Sequence, residues 1–546
     1  MKKNTFIDGT IIASVAIIFV KILGALYVIP FYNIIGEEGG TLYSYAYSIY
    51  NLFLTISITG FPIAVAKMVS EYNEKGMFKA KEESYRISKK IILVISAISF
   101  FACFAFAEGI ASLFVKSLDS VGITTISDIA FVIRIIAFSL LIIPYLSIIR
   151  GYLQGHKYIK ESSNSQVIEQ VVRIFIVLVG SYLSIRIFKS DIKTGVAVAL
   201  SGSFFGGFIT YLYLKHKIDK NNSNFKKDDN LNIVITSKEI VKKFFIYAIP
   251  SIIIAIASSI YDTVDQILVI KGSNMLGFSA KDAEIIGSII GTWGVKICML
   301  ISAVGTAISI NAIPHMTESF VNNDYKETNK KFNQILITGF VISLPMAIGV
   351  SILASPLYRL FYGESIYGGK ILEAIVYATM LANISGILNT ALIGINSYKI
   401  IYINTLFGII LNLILDIPCM FLLDKLNIFP VWGTSLSSVI SYTLSIILAL
   451  VLLHKKYNFT YKDVYKDTLK LIMSCIFMTI PLLILNKFIN FNNFSNFKSL
   501  IFMIMYAVIG CLIFVYVSYK NNLLQDVFGK ELIDTCLKKL HIKKEG

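Results

Sequence analysis

No stretch of this chain has the spacing that catalysis needs. It contains no GxxxxGK[ST] loop, no HExxH and no GxSxG, so phosphate cradling for ATP, zinc-assisted hydrolysis and serine-nucleophile chemistry all lack their residues. Histidine is scarce. His156, His216, His315, His454 and His541 stand alone, mostly at the edges of polar stretches, and none has metal-ligand spacing. Cysteine is as thin: Cys103, Cys298, Cys419, Cys475, Cys511 and Cys536 are scattered without a CxxC. Five of them lie in or beside apolar runs, where cysteine acts as a small hydrophobe, so neither disulfides nor a metal site is expected. The chain is not read as an enzyme, and no cofactor is expected. Charge is the remaining shortage. Only 15% of the 546 residues are Asp, Glu, Lys or Arg, against about 25% in a soluble domain.

What fills the chain instead is apolar surface. Hydrophobic residues make up 55% of it and the mean hydropathy is +0.71, more than one soluble core of this length could hide. Continuous apolar runs of roughly 20 residues, the length that crosses a bilayer, fall near 11–35, 42–69, 91–115, 126–149, 165–187, 194–214, 244–270, 285–313, 333–355, 371–392, 400–422, 432–453, 469–488 and 499–519. They are continuous rather than alternating, which argues against a β-barrel. Fourteen segments put both termini on one side. The first run is full-length with no small-residue cleavage site after it, so a cleavable signal peptide is not expected.

The formal net charge of +16 does not point to nucleic acid, because the basic residues sit in short clusters between apolar runs. With the N-terminus cytoplasmic, the inside loops and tails carry 34 of the 50 Lys and Arg. That bias predicts a cell-membrane protein with cytoplasmic N- and C-termini. The longest connection, 215–243, is polar and basic and divides the first twelve segments into two groups of six. Weak internal similarity supports the division: "AKMVSEYNEKGMFKAKEES" (66–84) echoes "PHMTESFVNNDYKETNKKF" (314–332), and "LQGHKYI" (153–159) echoes "GINSYKI" (394–400). The expected fold class is therefore an all-α integral membrane protein of about fourteen helices. Two pseudo-symmetric six-helix lobes, 1–214 and 244–456, would surround a central cavity, joined by the 215–243 loop, with helices 13–14 and a tail in 457–546 as an appendix. Such repeats are the architecture of an alternating-access transporter.

Chemistry then has to reside in the few charges inside the segments, each of which costs a few kcal/mol unless it meets a cavity or a partner. Lys21 is the deepest, eleven residues after Thr10 and nine before Pro30; it lines a cavity or forms a structural ion pair. Lys296, in "GTWGVKICMLISAVG" (291–305), faces the central axis or snorkels outward. Arg173 follows Glu169 at i,i+4, a spacing at which the two neutralise each other. Arg134 lies near the end of the fourth segment, and Lys67 is close enough to a basic loop to snorkel. Among the acids, Asp262 and Asp265 share a helical face, and Asp416 lies deep in the eleventh segment beside Pro418. These three are candidates for a coupling cation, a proton or a pairing role. Lys21, Lys296, Arg134 and Arg173 together give the first lobe an excess of positive charge, which selects an anionic headgroup such as a phosphate or diphosphate.

The run "KILGALYVIPFYNIIGEEGGTLYSYAYSIYNLFLTISITGFPIAVAKMVSEYNEKG" (21–76) and the run "RGYLQGHKYIKESSNSQVIEQVVRI" (150–174) resemble the MurJ-type and SpoVB-type flippases of the MOP superfamily of multidrug, oligosaccharidyl-lipid and polysaccharide exporters. The resemblance covers essentially the whole chain. It implies a MATE-like fold and transport of an undecaprenyl-diphosphate-linked wall precursor, lipid II first, in a bacterial cell membrane. A lipid-linked diphosphate oligosaccharide and the bilayer are then the partners, with no nucleic acid; the oligomeric state is open, with a monomer the default. Coupling to Na⁺, to H⁺ or to membrane potential is left open. By the same resemblance Lys21 stands at an essential arginine of the family's first segment, and Lys296 falls near an arginine of its eighth. Other family charges are replaced here by Tyr27, Val28 and Leu54, so the diphosphate site is less cationic or rebuilt from Arg134 and Arg173. Segments 13 and 14 would form the groove for the lipid tail. Two competing readings are a cation-coupled drug exporter, which favours acids in the cavity and twelve segments, and a non-transporting membrane scaffold, which needs neither Lys21 nor repeated lobes.

Overall fold

The computed structural model describes residues 16, 19–115, 124–221, 225, 236–299, 301–302, 305, 316, 319–320, 322–489, 491 and 494–530. Among them there is no strand, and eleven helices are long and apolar enough to cross a membrane. The first of these, Phe19–Glu74, contains two of the segments read from hydropathy. The seventh segment lies within a helix at Ser237–Met275. The eighth, 285–313, is described to Met299 and at a few residues beyond. Bands of exposed aliphatic and aromatic side chains cover the helices, with Phe101, Ile414 and Leu512 each more than 60% exposed. Lipid, not water, is the solvent for such surfaces, and the chain is a multi-pass membrane protein.

The chain forms two compact units, residues 1–296 and 297–546. The first contains α1 (19–26), α2 (Val28–Ile58), α3 (Gly60–Glu74), α4 (Phe78–Ala105), α5 (Ala107–Ala111), α6 (Ile126–Ala137), α7 (Ser139–Gly155), α8 (Ile159–Phe175), α9 (Ile192–Lys220), α10 (Ser237–Met275), α11 (Ala280–Ser288) and, of α12 (294–299), the residues up to Lys296. Helix α10 packs along α2 and α3 and lies in the first unit. The second unit contains α13 (Tyr325–Ile352), α14 (Ala354–Tyr362), α15 (Gly368–Gly394), α16 (Tyr398–Lys425), α17 (Trp432–Tyr457), α18 (Lys462–Phe488), α19 (Asn496–Lys520) and α20 (Leu523–Phe528).

Two features of the first unit position its polar residues. Hydropathy leaves 36–41 as the connection between segments 1 and 2, yet helical backbone resumes directly after Gly36. The Phe31 and Tyr43 rings are 5.1 Å apart, whereas twelve residues of straight helix would span about 18 Å, so the chain doubles back within α2. Gly36 makes the turn, with φ 68° and ψ −171°, a conformation open to a residue without Cβ. The second feature is close helix approach at small residues. A Cβ on Gly151 of α7 would lie 2.5 Å from the Pro62 carbonyl oxygen, and one on Gly206 of α9 would lie 2.9 Å from that of Glu169. These contacts bring α7 onto α3 and α9 onto α8, and with them Arg150, Glu169 and Arg173.

Phe225 ties down the long polar loop. Phe225 is 3% exposed and its ring packs against Tyr152, His156 and Tyr158 at centroid distances of 5.4, 5.1 and 5.4 Å. Its carbonyl accepts a 2.7 Å hydrogen bond from the buried Lys81 Nζ. Loss of a buried phenyl ring costs about 3–5 kcal/mol in a core, so Phe225→Ala should undock the loop. Tryptic cleavage at the adjacent Lys226 and Lys227 is expected to accelerate at least about tenfold, because local opening sets the rate of proteolysis. An unchanged cleavage rate would show that the ring does not hold the loop.

In the second unit α16 and α17 are the most closely packed pair, with Gly433 of α17 against the Met420 backbone of α16. Helices α13, α18 and α19 enclose an apolar groove of about 450 Å³ that includes Val341, Pro345, Met478, Leu482, Tyr506 and Phe514. One end is closed by α20. Asp526 pairs with Lys470, and Gln334 donates to the Val527 carbonyl at 2.9 Å.

Candidate functional site

The polar centre of the first unit is built on the α2 hairpin. Tyr27 sits just before α2 on its outgoing arm and Tyr43 on its returning arm, and their hydroxyls are 3.3 Å apart. Tyr43, Tyr47 and Tyr50 follow at i, i+4 and i+7, one stripe of the helix. Tyr43 and Tyr47 stack at 5.5 Å, and Tyr47 and Tyr50 approach to 6.1 Å. Trp293 closes one side, its ring edge-on to Tyr32 at 4.9 Å and its Nε1 donating to the Gly40 carbonyl at 3.2 Å. Beside it a buried network runs from Gln266 Nε2 to Ser44 Oγ (2.9 Å) and on to Thr292 Oγ1 (2.8 Å). This network fastens α10 and the π-helical turn Ile289–Trp293 to α2.

Into this aromatic pocket the π turn delivers Lys296. The side chain is 7% exposed. Its Nζ donates to the Tyr27 hydroxyl at 3.3 Å and lies over the Tyr27 and Tyr47 rings at 5.3 and 4.9 Å. Arg173 comes from α8, within electrostatic range of Tyr47, Tyr27, Glu169, Tyr43 and Lys296. It too is followed by a π turn, Ile176–Gly180; such turns recur at functional sites because they re-aim side chains. Arg173 Nη2 bonds the Gln170 amide oxygen, and its buried Nε has no hydrogen-bond partner among the described residues. No carboxylate pairs with Lys296 or Arg173 among those residues. Buried Lys296, held by two tyrosine rings and a hydroxyl, and half-buried Arg173, whose near acid Glu169 is already paired with Arg150, make an arrangement that can receive an anion.

The structure redistributes the charges listed by spacing. Arg173 does not pair with Glu169. Arg150 of α7 takes that carboxylate at 2.7 Å and also donates from Nε to Ser165 Oγ at 2.7 Å. An i,i+4 contact is worth about 0.2–0.5 kcal/mol, and a half-buried, charge-assisted pair between helices outweighs it. Arg134 is not brought to the cluster either. It pairs with Glu108 of α5 at 2.9 Å at a half-exposed edge, stacked near Phe104. Lys67 lies over the Tyr247 ring at 4.1 Å. Lys21 is half-buried on α1, next to Val20.

Of the acids, Asp262 is exposed and Asp265 half-buried. Asp262 lies on the α10 stripe of Ser259, Thr263 and Gln266, and Ser259 Oγ donates to Thr55 Oγ1 of α2 at 3.0 Å. Asp416 is fully buried in α16. The Asn412 amide approaches its carboxylate at 3.5 Å, while Ser437 and Ser438 of α17 donate to Asn412 Oδ1 at 3.3 and 3.2 Å. Among the described residues no group of three or more His, Cys, Asp or Glu is arranged to hold a metal ion.

Charge alone did not reveal the tyrosines. Their signal is the 43/47/50 stripe facing Tyr27 across a glycine turn, which needs the hairpin to be seen.

Comparison with known proteins places this geometry. The sequence profile of a family described as "Polysaccharide biosynthesis protein" matches residues 6–280. The chain is 29% identical over 544 residues to the lipid II flippase MurJ of Bacillus subtilis, covering 97% of this chain and 98% of that protein. Its fold is similar to the inward closed structure of a lipid II flippase MurJ, with a TM-score of 0.63 at 20% identity over 96% of this chain and all of the other. It is also similar to the inward-facing structure of a multidrug resistance MATE family transporter of the MOP superfamily, with a TM-score of 0.62 at 13% identity over 80% and 95%. The fold is that of the MATE-like MOP transporters.

Proposed function

Because the chain belongs to the polysaccharide biosynthesis protein family, we propose that it is a transporter that moves an undecaprenyl-diphosphate-linked saccharide, lipid II first among them, from the inner to the outer leaflet by alternating access. The observation that carries the reading is Lys296, without a carboxylate partner among the described residues, beside Arg173, whose near acid Glu169 is taken by Arg150, with Tyr27, Tyr43 and Tyr47 around them. A diphosphate supplies the missing negative charge, and the tyrosine hydroxyls can donate to its oxygens. Likeness to a lipid II flippase over nearly the whole chain supports the same cargo. A drug exporter would be expected to present unpaired acids here, whereas Glu169, the acid near Arg173, is paired with Arg150. Lys21 is kept as a further cation of the site on the side of α1.

The cytoplasmic placement of both termini and of 215–243 rests on the Lys/Arg bias; labelling of Lys217→Cys from outside intact cells would contradict it. The apolar groove of α13, α18 and α19 suits the polyprenyl tail. The test of the reading is growth of a bacterium depleted of its lipid II flippase, together with flipping of lipid II in proteoliposomes. Failure of both at normal membrane abundance would refute it.

For coupling we favour Asp416. Asp416 is fully buried in α16 with the Asn412 amide beside its carboxylate, and an ionisable group at such depth marks a proton or ion path. Asp416→Asn keeps the shape and removes the charge. Flipping should fall about tenfold and lose its response to an imposed Na⁺ or H⁺ gradient. A preserved gradient response would remove Asp416 from the coupling step and return attention to Asp262 and Asp265.

A further inference from the structure

The tyrosine stripe does not end at the anion site. Tyr50, its last ring, opens into a separate cavity of about 540 Å³ enclosed by α1, α2, α3, α7 and α8. One wall is apolar and includes Val20, Leu54, Ile58 and Ile143. The other carries Arg150, Gln154, Gln166, Glu169, Gln170 and Arg173. Arg173 therefore belongs to both places, lining the cavity while acting on the tyrosines around Lys296.

Two of the far wall's three charges cancel, and the third, Arg173, stands at the end shared with Lys296. Arg150 and Glu169 are paired at 2.7 Å, with both side chains about 15% exposed or less, so away from Arg173 that wall offers polar groups with little net field. Gln154 is anchored through its amide to Ser162 Oγ at 3.0 Å. Gln166 is half-buried and makes no hydrogen bond among the described residues, which leaves both its donor and its acceptor for a ligand. A wall of amides with a neutralised ion pair, facing an aliphatic wall and one tyrosine ring, matches a group that is uncharged, rich in hydroxyls and amides, and carries an apolar C–H face. An N-acetylated sugar has this chemistry. The volume lies in the ~300–1,000 Å³ range of small-molecule sites.

We propose that this cavity is the saccharide subsite of the transporter. It receives the sugar joined directly to the diphosphate, and Gln166 is the residue that reads its acetamido and hydroxyl groups. The proposal rests on the diphosphate reading of the Lys296–Arg173 site and specifies what lies next to it. The geometry orders the cargo: diphosphate between Lys296 and Arg173, sugar beyond Arg173 toward Arg150. The close approach of Gly202 and Gly206 to the Arg173 and Glu169 carbonyls holds α8 against α9, so that this wall is stiff.

The test is binding to the full-length protein in lipid nanodiscs with two probes. One is undecaprenyl diphosphate; the other is the same lipid bearing a single N-acetylhexosamine. Two well-made hydrogen bonds at about 1 kcal/mol each are enough for a preference of tenfold or more, so the unmodified chain should bind the sugar-bearing probe at least about tenfold tighter. Gln166→Leu should reduce that preference below about threefold and leave the Kd of the bare lipid unchanged. Equal affinity of the unmodified chain for both probes, or equal weakening of both by Gln166→Leu, overturns the subsite. Lys296→Met serves as the separate arm and should weaken both probes alike. If Lys296→Met changes neither Kd, the diphosphate reading itself fails and the subsite falls with it; if it weakens both while no sugar preference exists, only the subsite falls.

Discussion

Lys296→Met should abolish growth of a flippase-depleted strain while leaving the protein as abundant in the membrane as before, and at least as resistant to heat. The two halves of this expectation have the same origin. A lysine at a helix centre costs about 2.5–3.5 kcal/mol on insertion scales, and here no carboxylate repays it among the described residues; the Nζ has one 3.3 Å hydrogen bond to Tyr27 and two aromatic faces. Methionine keeps the length and the packing against Tyr47 and removes the desolvated charge. Tyr27 retains its contact with the Tyr43 hydroxyl, so no polar group is left stranded. Transport should suffer in proportion to what the cation does for a diphosphate. Charge-assisted hydrogen bonds are worth about 1.5–3 kcal/mol, or about ten- to a hundredfold in flipping rate. Lys296→Arg should retain part of the activity because it preserves the charge and adds a fork suited to phosphate oxygens. Membrane abundance, melting temperature and flipping of lipid II are measured together. Normal growth on Lys296→Met at normal abundance would sink the anion-site reading. Loss of the protein would instead mean that the lysine is part of the fold.

The contrast between Lys296 and Arg173 on one side and Glu169 on the other marks where sequence stops being informative. Hydropathy finds the segments because a bilayer demands long apolar runs regardless of their neighbours. The depth of Lys296 is legible for the same reason. Pairing is not, since it depends on which helices approach. Glu169 has a cation four residues away and another nineteen residues away; the distant Arg150 wins because Gly151 and Gly206 let α7 and α8 close on their neighbours. Tyr27 is the sharper case. As a residue it marks a lost family cation, and it reads as a weakening of the site. In the fold its hydroxyl meets Lys296, so one tyrosine supplies a hydrogen bond and a ring face to a cation brought from α12. Arg134 misleads in the opposite direction, a cation that spacing alone could send inward but that Glu108 holds at the edge.

Gly510→Trp should block transport of the lipid-linked cargo by filling the place of its tail. Gly510 lies on α19 at the apolar groove, among Met478, Leu482, Tyr506 and Phe514. A Cβ built there would meet Leu482 Cδ1 at 3.1 Å, the flexible end of a side chain that can turn aside. The indole can therefore enter the roughly 450 Å³ groove rather than wedge α18 from α19. Tryptophan is apolar enough to sit beside acyl chains, so insertion and abundance should stay near those of the unmodified chain. A polyprenyl tail excluded from the groove returns to the bilayer and loses packing contacts and guidance rather than burial from water, and at least about a tenfold fall in lipid II flipping is expected. The anion site should be untouched, and inorganic diphosphate should bind Gly510→Trp as it binds the unmodified chain. Leu512→Trp, on the same helix but 65% exposed, is the control for a bulky indole that does not enter the groove, and it should support growth. If Gly510→Trp flips lipid II normally, the tail does not travel along α19; if Leu512→Trp fails equally, the effect belongs to the helix and not to the groove.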